Sequence, residues 1–100
     1  MKVEEIHAEL VSCGFSRLDG PESFSRYQWE CVKPHGTLII SYFKEAFYCP
    51  KVKAFLNDVC IAFTFDPEPV VEFAVQWAEG DPDAEEYARA SANTNRGRVS

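Results

Sequence analysis

Between Pro67 and Ala78 the chain reads PEPVVEFAVQWA, a stretch with helical spacing and hardly any polar side. Glu68, Glu72, Gln76 and Glu79 recur at steps of four, four and three and form one narrow polar ridge. Val70, Val71, Phe73, Ala74, Val75, Trp77 and Ala78 take up the rest of the circumference. So apolar a helix has to be covered on most of its girth. In a chain of 100 residues, the cover is the domain's own sheet or a partner.

The ends of this helix are marked chemically. Asp66-Pro67 and Asp81-Pro82 each place a side-chain acceptor before a proline, which sits without penalty at the first helical position. Gly80 separates the two segments, so two C-terminal helices are predicted. At the other end, Val3, Ile6, Leu10 and Val11 share a face opposite Glu4, Glu5 and Glu9, and Gly14 stops the pattern. An N-terminal helix over residues 2–13 is predicted.

The residues between must supply the sheet. Phe15–Leu18 reads as a short strand before a turn at Asp19-Gly20-Pro21. Tyr27, Trp29 and Cys31 then alternate with Arg26, Gln28 and Glu30, the period of a half-buried strand. KPHG turns into TLIISYFK, apolar on both faces near its centre and so interior to the sheet. Phe15 to Lys44 is thus an antiparallel meander, and VCIAFTF at Val59–Phe65 is a further strand. In residues 50–58, Val52, Phe55, Leu56 and Val59 have helical spacing after Pro50 and predict a short helix. The same stretch also reads as a hairpin arm turning at Asn57-Asp58. The expected fold is a single α+β domain over residues 1–90: an antiparallel sheet of about four strands, an N-terminal helix and two C-terminal helices. Residues 91–100, poor in apolar side chains, read as a loose tail.

Charge is distributed unevenly along this frame. Residues 1–65 carry eight acids and seven bases, residues 66–86 eight acids and no base, and residues 87–100 three arginines and no acid. First-turn positions explain Asp66, Glu68, Asp81 and Asp83 through the helix dipole. The uncompensated remainder favours a second reading. Glu68, Glu72, Glu79, Asp81, Asp83, Glu85 and Glu86 form a negative strip that docks on a basic groove of another protein. Basic grooves belong mainly to nucleic-acid-binding proteins, whose phosphate contacts an acidic strip competes for. Direct nucleic-acid binding by this chain is disfavoured by the same charge. Aromatic side chains left exposed beside the strip would supply the affinity.

Other chemistries leave fainter marks. Cys13, Cys31, Cys49 and Cys60 have no metal-ligand spacing and read as reduced, mostly buried thiols. Cys49 ahead of Pro50, with His35 in a turn, is the one pairing that suggests a thiol enzyme or a ligand pocket. His7 reads as a boundary histidine, and Tyr27, Trp29, Tyr42 and Phe43 as core aromatics. No cofactor or metal is implied, and the expectation is a non-enzymatic binding protein. Acids occupy MKVEEIHAEL where an export signal has an apolar core, and no run is long enough to span a bilayer. A cytoplasmic location without membrane attachment is therefore expected. Homodimerisation through the helix around Phe73 and Trp77 is a third reading. In size and charge the chain is similar to small acidic inhibitors, such as immunity proteins and phage-encoded anti-defence (anti-CRISPR-like) proteins, with no residue-level motif shared.

Overall fold

The computed structural model describes residues 2–18, 26–43 and 51–97. An N-terminal helix α1 (Val3–Ser12) leads into five strands: β1 (Ser16–Arg17), β2 (Arg26–Lys33), β3 (Gly36–Phe43), β4 (Val52–Leu56) and β5 (Val59–Thr64). Two helices follow, α2 (Pro67–Ala78) and α3 (Pro82–Gly97). The strands pair antiparallel in the order β1-β2-β3-β4-β5, and the three helices cover one face. The fold is the α+β domain that the patterning predicts. The turn expected at Asp19-Gly20-Pro21, the end of the meander at Lys44, and the Cys49-Pro50 pair lie outside the described residues.

Each element follows from local chemistry. Gly14 adopts φ +109, and Phe15 N–H reaches back to Leu10 C=O at 3.0 Å, closing α1 with a left-handed cap. Ile6 and Leu10 turn inward from α1 into the core that also holds Trp29, Cys31, Leu38 and Ile40. The Asp66 carboxylate accepts from Glu68 N–H at 3.1 Å, and the Asp81 carboxylate from Asp83 N–H at 2.9 Å. Both Asp-Pro signals are therefore genuine helix starts. His7, on the exposed side of α1, accepts the Trp29 indole N–H through Nδ1 at 3.0 Å. This gives a fully buried indole the one partner it needs. Trp29 and Tyr42 are core residues, whereas Phe43 lies on the opposite sheet face, beneath the Lys53 ammonium.

Two expectations are corrected. Residues 52–56 form a strand instead of a short helix. Val52, Ala54 and Leu56 are buried under the helices, while Lys53 and Phe55 face the other way. The helical spacing of Val52, Phe55 and Leu56 is outweighed by ladder pairing on both sides and by the turn chemistry. Asn57 and Asp58 both take positive φ, 49 and 70, the two-residue turn that joins twisted antiparallel strands. The boundary at residue 91 also moves. α3 continues to Gly97, because Ala84, Ala88 and Ala92 form a small-residue stripe that seats it against the core.

The thiols Cys13 and Cys31 sit in this interior. Burial raises the pKa of both, and a charge on Cys31 raises that of Cys13 further. Below about pH 8.5 both thiols are protonated, folded or unfolded. Above it the unfolded chain gives up its protons first, so folding stability falls as pH rises towards the folded pKa values. Urea unfolding under reducing conditions between pH 7 and 10 should show this decline. Cys13→Ala with Cys31→Ala should make it shallower; an unchanged slope would show that the thiols do not contribute.

Candidate functional site

α3 packs on β5, β4 and α2 with its alanine stripe inward, so its two flanks look out on different surroundings. One flank carries Asp83 and Tyr87, the other Glu85, Arg89 and Asn93. The two flanks build two concave sites.

On the first flank a groove of about 450 Å³ lies between β5, α2 and α3. Its walls are Phe63 from β5, Pro69, Val70 and Phe73 from α2, and Ala84 and Tyr87 from α3. Phe73 meets the Tyr87 ring edge-on, with 5.4 Å between centroids. Phe63 is 67% exposed and Tyr87 53% exposed, so two aromatic side chains that line this groove stay largely open to solvent. Ala62, Thr64, Gln76 and Asp83 complete the lining.

The predicted acidic strip meets this groove only in part. Glu68, Glu72 and Glu79 are exposed along α2, with Gln76 of the same row entering the groove. Asp83 lines the groove and Glu86 is exposed on the outer side of α3. Asp81 caps α3 through its carboxylate. Glu85 turns to the far flank, where its Oε1 lies 3.3 Å from His35 Nε2. The strip thus splits into a part beside the aromatic groove and two residues with local structural partners.

The second concavity, about 230 Å³, lies between the β2–β3 turn, the β4–β5 turn and α3. His35, Asn57, Glu85, Arg89 and Asn93 surround it above Trp77. The His35 ring meets Trp77 edge-on at 4.5 Å, and the Asn57 side-chain oxygen accepts from Thr37 N–H at 3.0 Å. These contacts hold the β2–β3 turn against α2 and α3 and tie the β4–β5 turn to β3, a structural task for both His35 and Glu85. Cys49 is outside the described residues, so its pairing with His35 stays an expectation. Among the described residues no cluster of three His, Cys, Asp or Glu side chains is placed to hold a metal ion.

The individual aromatics of the groove were not legible beforehand. Phe63 belongs to a strand whose place in the sheet the residues alone leave open, and Tyr87 to a helix flank whose orientation depends on where α3 lies. The signal that was present is the absence of any lysine or arginine from residue 54 to 88, which brackets the groove's elements almost completely. No helix among the described residues is long and apolar enough to cross a membrane. No protein-family model, curated protein or solved structure matches this chain.

Proposed function

We propose that this chain is a non-enzymatic docking module, an inhibitor or adaptor whose aromatic groove seats a basic, apolar-anchored segment of a partner protein. The observation that carries this reading is the juxtaposition of Phe63, Phe73 and Tyr87 with Asp83 and the exposed carboxylates of α2. Exposed aromatic area supplies binding energy, while the surrounding carboxylates attract and orient cationic partners. Proteins that handle nucleic acid display the most extensive basic surfaces, and they are the partner class this site fits best.

The test is capture from host-cell lysate by the tagged chain, washed at low and then at high salt, beside a variant carrying Glu72→Lys, Glu79→Lys and Asp83→Lys. These carboxylates are exposed, so the variant should fold, with stability changed by no more than about 1 kcal/mol. A basic protein held at low salt should be shed at high salt, because surface charge pairs are screened. The variant should retain at most about a tenth as much. Equal retention by parent and variant would remove the acidic rim from the mechanism.

A further inference from the structure

The hydrogen-bond alternation across the sheet determines which backbone groups of β5 are left over. Asn57 N–H donates to Thr37 C=O at 3.0 Å and Phe43 N–H to Lys51 C=O at 2.7 Å. The alternation of an antiparallel ladder then turns Lys53 and Phe55 towards β3, and Val52, Ala54 and Leu56 towards β5. Opposite them, Val59, Ala62 and Thr64 bond inward, and Phe63 directs its own N–H and C=O away from the sheet. β5 is the last strand in the order, and among the described residues no backbone group answers those of Phe63.

Natural sheets protect such an edge with lysine, proline, an inward charge, a bulge, a very short strand or a covering helix. Here α3 packs on β5 from the core side. The opposite edge, β1, has only two residues. β5 has six and contains neither a charge nor a proline. Its one irregularity is the register shift near Cys60, which leaves Ala62–Thr64 regular. This stretch forms one wall of the aromatic groove.

We propose that β5 is an acceptor edge, to which the partner adds an extended segment as a sixth strand centred on Phe63. This rests on the docking reading and specifies its mode: main-chain bonds to Phe63 give register, and alternate side chains of the segment enter the groove. The segment is basic as well as apolar. Asp58 and Asp66 bracket β5 and Asp83 lies in the groove, while Lys53, across from Phe63 on β4, is on the sheet face away from the helices. A second copy's β5 is a poor occupant. Pairing two copies would bring together the carboxylates that flank β5, between chains of net charge -6 each.

The probe is a peptide of about ten residues alternating lysine and valine, long enough to form one strand. It is added to the full ¹⁵N-labelled chain, with a glutamate–valine peptide as control. Amide exchange at Phe63 should slow by about tenfold or more with the lysine peptide and not with the control. Phe63→Pro removes the outward N–H together with the aromatic ring and should abolish binding. Phe63→Ala keeps that N–H, and it should weaken binding yet preserve the protection at residue 63. Should Phe63→Pro fail to fold, the exchange measurement on the parent chain decides. Peptide binding with an unprotected Phe63 amide would overturn strand addition and leave side-chain docking in place. No binding of the lysine peptide by the parent chain would also overturn it, while the charge-reversal capture judges the docking reading separately. Protection at Phe63 without peptide, accompanied by a dimer in light scattering, would make a second copy the occupant and overturn the proposal as well.

Discussion

Trp77→Ala lowers the unfolding free energy by about 3–5 kcal/mol, the range for removing a large buried aromatic side chain. That is a sizeable part of the roughly 5–15 kcal/mol that holds a domain of this kind together. Trp77 is 1% exposed and is the largest inward side chain of the apolar helix α2. Its ring also carries the edge of His35, through which the β2–β3 turn is held near α3. The substitution therefore removes packing and loosens the clamp that His35 and Glu85 form. Urea unfolding should show a strongly lowered midpoint with a similar slope, and Trp77→Phe should recover much of the loss. A cost below about 1 kcal/mol would mean that α2 is not the helix that ties the layers together.

Phe63→Ala and Tyr87→Ala separate stability from recognition. Both side chains are more than half exposed, so the folded domain should lose no more than about 1 kcal/mol from either. The larger share falls on Tyr87, which gives up its edge-on contact with Phe73. Affinity for the captured partner should fall by about 2 kcal/mol per substitution, roughly thirtyfold, as expected of aromatic anchors at the centre of an interface. Titration calorimetry beside thermal unfolding of the same variants measures both quantities. Affinity unchanged in both variants would make the groove an incidental hollow and shift attention to the cleft at His35.

The particular successes and failures of reading this chain have physical causes. Capping and amphipathicity are properties of adjacent residues, so Asp66-Pro67, Asp81-Pro82 and Gly80 announced their helices without help from the fold. Val52–Leu56 was misread because five residues of apolar alternation also fit one turn and a half of helix. Pairing with β3 and β5 is a non-local term that no short window contains. The extent of α3 was underestimated for a related reason. Ala92 counts for little in a hydropathy pattern, yet an alanine stripe lets a helix approach closely enough to be buried.

For the site the division is sharper. The order of residues determined that this chain places its excess negative charge in residues 66–86, and that the helix after Asp66 must be covered. Sequence order also determined that an apolar, uncharged strand precedes that helix. Only the tertiary structure decided that this strand is an edge, that Glu85 turns to His35 while Asp83 turns to the groove, and that Phe73 meets Tyr87 in a groove that Phe63 also lines. Charge and periodicity are carried by the chain itself, whereas an edge, a flank and a groove exist only between elements, and packing alone sets which side of each stays open.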